Sequence, residues 1–156
     1  MNAKLKTLNR IIFILSIAGV VMAIYVLQSF VRNTGILCLT GGGCELVRKS
    51  PISYPFGIPV PAIGLIGYTG LTILAFLRTS LRSPSSDLRL LKIMLGIAVF
   101  GVCFVSWFTI MELFVIRGTC TWCAVSAVNM VVIFGLVVFS FTYHPNHPNR
   151  PYQPNL

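Results

Sequence analysis

Thr119-Cys120-Thr121-Trp122-Cys123 places a Cys-x-x-Cys pair at the junction between two very apolar segments of the chain. Two cysteines at this spacing can exchange a disulfide for a dithiol with little backbone movement. In the first turn of a helix they would meet unsatisfied backbone amides and the positive end of the helix dipole, which stabilise a thiolate. Thr119 is the expected N-cap, because its hydroxyl can accept a bond from an amide two or three residues further on. The motif also fits a metal site, so the rest of the chain decides its meaning.

The composition indicates an integral membrane protein. Of the 156 residues, 56% are hydrophobic and 10% are charged, whereas a soluble domain carries about 25% charged residues. The formal charge of +9 is compatible with nucleic-acid binding. The basic residues flank long apolar runs rather than forming clusters, so no nucleic-acid partner is expected. The apolar runs are long enough to cross a bilayer, and the expected surroundings are membrane lipid.

Four apolar runs predict an all-α bundle of four transmembrane helices within residues 1–143. The predicted spans cover residues 11–31, 58–77, 93–116 and 120–143. The first run follows basic residues, as in a signal peptide, but it is long enough to span and no small-x-small cleavage site follows it. Pro59 and Pro61 suit the first turn of the second span. Residues 144–156, rich in Pro and Asn, are predicted to be a disordered cytoplasmic tail.

The basic residues predict the orientation of the bundle. Four spans put both termini on one side, together with the link between the second and third spans. That side would carry Lys4, Lys6, Arg10, Arg78, Arg82, Arg89, Lys92 and Arg150. The opposite side would carry Arg32, Arg48, Lys49 and Arg117. Because Lys and Arg favour the cytoplasmic side, the termini are expected there and the first loop is expected on the extracytoplasmic face.

Four of the five cysteines fall on this extracytoplasmic face: Cys38 and Cys44 in the loop between the first two spans, and the Cys-x-x-Cys pair. Cysteines on an oxidising face are paired or redox active. The glycines at 41–43 make the loop pliable, so that Cys44 can approach both Cys38 and the Cys-x-x-Cys pair. Thiol–disulfide exchange requires such contact, because a thiolate must attack a disulfide sulfur. The pattern therefore predicts a relay from external thiols to an acceptor in the bilayer.

Other interpretations stay open at this point. A Cys38–Cys44 disulfide can equally be a static staple of the loop. All four cysteines can bind zinc, but the unequal spacing of the pairs and the distant histidines disfavour this, so no metal is expected. A structural or metal-binding membrane protein with static disulfides is thus the alternative from another class. Cys103, in the middle of the third span, is expected to be a small buried apolar residue.

Three further residues are candidates for the chemistry. Glu112 lies near the outer end of the third span, and an ionisable residue in a span is a functional hypothesis by default. It can orient the loop or tune a thiol, and the alternative is an interfacial pair with Arg117. Trp122 can offer a ring face to a flat ligand, or serve as an ordinary interfacial tryptophan. Ser50 can hydrogen-bond a quinone oxygen or cap a short helix.

Several motifs follow one another in a fixed order along the chain. They are Cys38-x5-Cys44 with Val47 and Ser50, Ser53-Tyr54, Phe56-Gly57-Ile58-Pro59, Gly64 with Tyr68, Glu112-Leu113-Phe114-Val115-Ile116, and Cys120-x-Trp-Cys123. In this order they resemble the bacterial type of the vitamin K epoxide reductase family, from the first span to the fourth. The DsbB-type quinone-linked thiol oxidases have the two cysteine pairs in the reverse order, so the order seen here favours the vitamin K epoxide reductase family.

The resemblance implies a four-helix bundle that holds a quinone near the outer face of a bacterial inner or plasma membrane. The quinone would be of the ubiquinone, menaquinone or phylloquinone type. By the same resemblance, Cys123 would reduce the quinone through a charge-transfer or covalent adduct, with Cys120 as its disulfide partner. Cys44 would attack Cys120, and Cys38 would exchange with the external thiol.

The resemblance also implies quinone contacts and a partner. The candidate quinone-binding residues are Ser50, Phe56, Tyr68 and Trp122, with Glu112 as a tuning residue. No thioredoxin-like domain follows the fourth span, so a separate thioredoxin-fold (DsbA-like) protein is expected to supply electrons. The predicted function is quinone-dependent disulfide generation for secreted proteins. The alternative is quinone or vitamin K epoxide reduction that serves quinone recycling, although Val60-Pro61 and Ala127 stand where vertebrate enzymes have Asn and Tyr.

Overall fold

The computed structural model describes residues 3–33, 35, 37–38, 42–80 and 84–143, without the side chains of residues 3, 56 and 84–86. The described residues form five α-helices and no strand. The helices are α1 (Ala3–Arg32), α2 (Gly43–Lys49), α3 (Val60–Ser80), α4 (Pro84–Met111) and α5 (Thr121–Thr142). The predicted disordered tail lies outside the described residues.

Four of these helices are long and apolar enough to cross a membrane: α1, α3, α5, and α4 together with the turn that follows it. That turn is π-helical and covers Glu112–Ile116. Two short 3-10 turns, Pro51–Ser53 and Pro55–Gly57, join α2 to α3. The predicted all-α fold with four membrane-spanning helices is confirmed.

The helices differ from the apolar runs at their ends. Helix α1 begins at Ala3 and α4 begins at Pro84, so several residues expected in polar segments are helical. Proline suits the first helical turn, where its missing amide leaves no bond unmade, and Asp87 is favourable near a helix N-terminus. The predicted N-cap at Thr119 is wrong. Cys120 is the N-cap of α5, because it is extended while its carbonyl already accepts a bond from the Ala124 amide at 3.0 Å.

The four long helices form a closed ring in which α1 packs on α3, α3 on α4, α4 on α5 and α5 on α1. Its core contains Ile12, Tyr68, Leu71, Met94 and Ile133. The Tyr68 ring lies against the backbone of α1 at Gly19, where an added Cβ would stand 2.3 Å from the ring. A glycine at that point is therefore what lets α1 and α3 approach closely.

One end of the ring, which we call the paired end, is held by buried polar contacts. The Arg78 guanidinium of α3 donates from Nε to Asp87 Oδ1 of α4 at 2.5 Å, with both groups buried. The Asn9 amide of α1 donates to the Ala75 carbonyl at 2.8 Å and to Thr79 Oγ1 at 2.9 Å. These bonds join three helices at the same level.

The opposite end, which we call the cysteine end, is covered by α2. The Arg48 side chain bonds the Glu45 carboxylate and also donates to Asn33 Oδ1 at 2.8 Å, which ties α2 to the end of α1. Gly43 packs on the turn before α5, where an added Cβ would stand 2.2 Å from the Thr119 carbonyl oxygen. Gly42 has a φ of 99°, which favours glycine. Two of the three loop glycines therefore have fixed geometric roles.

Candidate active site

All four cysteines expected on the extracytoplasmic face meet in one apolar cluster at the cysteine end. Cys44 and Cys120 are buried in it with Val47 and Phe108, and Cys38 and Cys123 pack against them. The loop, α2, and α5 with the turn before it supply the cysteines of this cluster, because α2 folds back onto the turn between α4 and α5. The arrangement brings the two pairs into the proximity that thiol–disulfide exchange requires.

The outer pair is a disulfide between Cys38 and Cys44, with Cα atoms 6.0 Å apart. The Cys44 amide donates to the Cys38 sulfur at 3.3 Å, and that sulfur lies 3.8 Å from Thr121 Oγ1 in the first turn of α5. Cys38 is half-buried beside the exposed Leu37, whereas Cys44 is 2% exposed. Cys38 is therefore the more accessible cysteine of the pair, and Cys44 faces the interior.

The inner pair consists of two free thiols beside a carboxyl group. The sulfur atoms of Cys120 and Cys123 and a carboxylate oxygen of Glu112 all lie within 4.8 Å of one another. Hydrogen bonding from the Cys123 side chain, helped by the backbone amides of Cys123 and Trp122, lowers the pKa of the Cys120 thiol, while burial opposes this shift. Cys120 is therefore suited to be a leaving group or nucleophile as a thiolate.

These three groups are also close enough to hold a metal ion. Two thiolates and a carboxylate would suit zinc, which takes such ligands. The same proximity is what a pair that alternates between dithiol and disulfide needs, so geometry alone supports both chemistries. The metal content of the purified protein distinguishes the two.

Glu112 is positioned by the π-helical turn at the end of α4. Its side chain is 4% exposed and hydrogen-bonded to the Cys123 thiol. The turn is closed by Arg117, whose φ is 53°, and by the Gly118 amide, which donates to the Glu112 carbonyl at 3.2 Å. Within the described ranges no ion pair joins Glu112 to Arg117, so the interfacial pair is not formed. A π-helical turn often marks a functional site.

A cavity of about 120 Å³ lies between the four long helices beside the inner pair. Cys123 and Trp122 stand in its wall with Tyr68 and Ser126. The remaining wall is apolar, apart from Thr109, and includes Val26, Ile97, Phe104, Phe108 and Met130. An apolar cavity of about 150 Å³ holds a benzene molecule, so this one approaches the size that a single six-membered ring needs.

The polar groups of the cavity are few and ordered. The Tyr68 hydroxyl donates to the Ser126 carbonyl at 3.0 Å and lies 3.0 Å from Ser126 Oγ. A flat apolar ring with carbonyl oxygens suits these surroundings, because the Ser126 hydroxyl can donate to an oxygen while the apolar wall covers the ring. The residues present therefore fit a quinone ring next to the Cys123 thiol.

Trp122 contacts both the cavity and the loop. Its indole Nε1 donates to the Leu37 carbonyl at 2.8 Å, and its ring centroid lies 5.0 Å from that of Tyr25. The loop segment before Cys38 is thus tied to the first turn of α5. The tryptophan predicted as a face for a flat ligand also holds the outer cysteine pair near the inner one.

The other sequence-predicted residues lie in different places. Tyr68 lines the cavity, as does Trp122, whereas Ser50 is not among the described lining residues. The Ser50 hydroxyl instead accepts from the Ile52 amide at 3.3 Å and caps the first 3-10 turn. The Phe56 side chain lies outside the description. Cys103 is exposed on α4, so the expectation that it is buried is wrong.

Sequence reasoning missed Ser126 and the role of Phe108. Ser126 follows Cys123 by three residues, so the two share a face of α5, and this spacing is a signal that can be seen in the sequence. Phe108 packs on Cys44 and Cys120. Nothing in the sequence distinguishes it from Phe114, which is exposed.

One known protein family matches most of the chain. The model of the vitamin K epoxide reductase family matches residues 10–138. The match includes both cysteine pairs, α2, α3, α4 and most of α1 and α5. The resemblance inferred from the motifs is confirmed.

Proposed function

The chain belongs to the vitamin K epoxide reductase family, and we propose that it generates disulfides for secreted proteins. Members of this family are membrane-embedded, quinone-linked thiol oxidoreductases or reductases. Electrons enter from a separate thioredoxin-fold partner, pass through Cys38–Cys44 and Cys120–Cys123, and end on a membrane quinone. The observation that carries the proposal is the meeting of both cysteine pairs in one cluster, with Cys123 in the wall of an apolar cavity.

The relay begins at the outer pair. A thiolate of the partner attacks Cys38, and its second thiol resolves the mixed disulfide, so the partner leaves oxidised and the Cys38–Cys44 dithiol remains. The half-buried position of Cys38 supports its role as the entry point. Two electrons and two protons pass to the outer pair in this step.

The inner pair then takes the electrons. The Cys44 thiolate attacks Cys120 of the inner disulfide, a Cys44–Cys120 bond forms, and Cys123 is released. Cys38 next attacks Cys44, which restores the outer disulfide and releases Cys120. The burial of Cys44 beside Cys120 supports this direction of attack, and the lowered pKa of the Cys120 thiol supports its release as a thiolate.

The quinone is the acceptor for the two electrons and two protons of the inner dithiol. Trp122, Tyr68 and Ser126 are the residues that would hold its ring, on the strength of their place in the cavity wall. Ser50 and Phe56 stay candidates from the sequence. Val60 and Pro61 form the cavity wall at the start of α3 and offer no amide donor from a side chain, so we do not extend the proposal to epoxide reduction.

We further propose that the cysteine end faces the periplasm or cell exterior and that both termini are cytoplasmic. The distribution of Lys and Arg supports this orientation, because most of them belong to the paired end of the bundle and its connections. In this proposal residues 1–143 form the catalytic membrane domain.

Thiol trapping in intact membranes tests the proposal. Free thiols are alkylated with one reagent and, after reduction, the remaining cysteines with a second of different mass, with quinone present and then depleted. We expect Cys38, Cys44, Cys120 and Cys123 to be oxidised with quinone and to accumulate as thiols without it. Cys103→Ser is the matched control and should behave as wild type.

Two outcomes would contradict the proposal. Four cysteines that stay in disulfides whatever the quinone supply would be static staples. Stoichiometric zinc in the purified protein, with all four thiols protected together, would instead identify a metal-binding membrane subunit.

A further inference from the structure

Glu112 is a carboxyl group in an unusual setting. It is 4% exposed, at the end of a membrane span, and its Oε1 has no hydrogen-bond partner among the described residues. The described part of the chain pairs no cation with it. A buried carboxylate without a cation is costly, so Glu112 is held as the neutral acid as long as no neighbouring group takes its proton.

The neighbours of Glu112 that can exchange a proton are the two inner cysteines. Cys123 is hydrogen-bonded to it, and Cys120 lies in the same group. From α2, the charged residues Glu45, Arg48 and Lys49 are engaged with one another. Arg117, at the end of the π-helical turn, is exposed. A proton on Glu112 therefore has Cys123 as its direct acceptor.

Cys123 contacts two different surroundings. It stands in the wall of the cavity, whereas Glu112 is not among the described lining residues. The carboxyl group thus reaches the reacting sulfur from outside the cavity. It can exchange a proton with that sulfur without occupying the space of the ring.

We propose that Glu112 is the proton carrier for Cys123 in each turnover, an inference that rests on the proposed function. When the Cys44 thiolate attacks Cys120, the Cys44–Cys120 bond forms, the Cys120–Cys123 bond breaks, and the electron pair of the broken bond stays on the Cys123 sulfur. Glu112 transfers its proton to that sulfur, which leaves a thiol and a carboxylate.

The same proton returns in the second half of the cycle. Cys123 must react with the quinone as a thiolate, because the thiol is a poor nucleophile. The Glu112 carboxylate takes the proton back as Cys123 reacts. Glu112 and Cys123 together therefore carry one negative charge at most. Glu112 gains and loses one proton in each cycle, so the two protons that reduce the quinone do not come from it.

The first test is infrared difference spectroscopy of the wild-type protein with the inner pair oxidised and then reduced. The chain has three acidic side chains, and the other two, Glu45 and Asp87, are ion-paired, so a protonated carboxyl band is assigned to Glu112. We expect this band with the inner disulfide and its loss when the inner pair becomes a dithiol. A band that is the same in both states would overturn the proposal.

The second test compares Glu112→Gln, which keeps the shape but has no proton to transfer, with the conservative Glu112→Asp. In reduced, quinone-free protein, the rate of Cys123 alkylation should rise with pH in two ionisation steps for the wild type and for Glu112→Asp. The same rate should rise in one step for Glu112→Gln. Transfer from the outer pair to the inner disulfide should be slower in Glu112→Gln by about 100-fold. Ser140→Ala, a buried hydroxyl on α5 outside the cysteine cluster, is the control.

The outcomes separate the two proposals. A wild-type protein that moves no electrons between the pairs would refute the proposed function, whatever Glu112 does. Normal transfer in the wild type together with an unchanged rate and profile in Glu112→Gln would overturn the role of Glu112 alone. Loss of the Cys38–Cys44 disulfide in Glu112→Gln would show that this variant does not fold. In that case the infrared result for the wild type decides whether Glu112 carries the proton.

Discussion

The two ends of the bundle bury different kinds of polar groups. At the paired end, Arg78 and Asp87 are bonded to each other, and Asn9 is bonded to the α3 backbone. At the cysteine end, the buried groups are two free thiols and a carboxyl group with one unbonded oxygen. Among the described residues, both ends leave buried atoms unbonded, Asn9 Oδ1 and Arg78 Nη1 at the paired end and Glu112 Oε1 at the cysteine end. At the cysteine end, however, the unbonded oxygen stands beside two thiols, which can react. The difference teaches that rigidity and reactivity are placed at separate levels of the same helices.

The largest expected effect comes from removing a nucleophile at the cysteine end. Cys44→Ser should abolish transfer from an external dithiol to the quinone, because a serine hydroxyl cannot form the mixed disulfide. Reduction of the quinone by a small dithiol that reaches the inner pair directly should persist. Both are followed by the change in quinone absorbance.

Equal loss of both activities in Cys44→Ser would mean that the loop only supports the fold. Cys103→Ser again provides the matched control, since Cys103 is exposed on α4 and lies outside the cysteine cluster.

The next effect is on stability at the paired end. Asp87→Asn should lower the free energy of unfolding by about 3–5 kcal/mol, because it leaves the buried Arg78 charge without a partner. Activity per folded molecule should not change, since Asp87 lies at the far end from the cysteines. Unfolding in mixed micelles gives the first quantity and quinone reduction gives the second.

A surface ion pair supplies the matched control for Asp87→Asn. Lys49 is exposed and lies 3.4 Å from Glu45, so Lys49→Met should change stability by less than about 1 kcal/mol. A large activity loss in folded Asp87→Asn would break the separation of the two ends.

The smallest expected effect concerns the contact between loop and cavity. Trp122→Phe keeps an aromatic ring but removes the bond to the Leu37 carbonyl, which is worth about 1 kcal/mol. Transfer from the outer pair to the inner pair should slow about fivefold, since 1.36 kcal/mol corresponds to a factor of ten. Rapid alkylation after addition of the partner dithiol measures this rate.

Trp107→Phe is the control for Trp122→Phe, because Trp107 is exposed on α4 and is absent from the cysteine cluster. An unchanged transfer rate in Trp122→Phe would show that the loop keeps its place through the Gly43 contact and the Arg48 bonds alone.

The sequence by itself determined the four long helices, the two cysteine pairs and their order. Long apolar runs can satisfy their backbone groups in a bilayer only as helices or closed barrels, and these runs are long enough for helices. The order of the pairs, with Cys38 and Cys44 ahead of the Cys-x-x-Cys, carried the family resemblance. The position at a helix N-terminus predicted a lowered thiol pKa, which Cys120 has, although Cys120 rather than Thr119 became the N-cap.

Only the tertiary structure decided which polar residues meet. The sequence left two interpretations open for Ser50, and the structure forms the cap of a 3-10 turn, whereas Ser126 joins Tyr68 in the cavity. The contact between Glu112 and Cys123 depends on a π-helical turn that the local pattern does not reveal. In a membrane, lipid is as apolar as a protein core, so hydrophobicity cannot tell an inward face from an outward one. Cys103, expected inside and found outside, shows this directly.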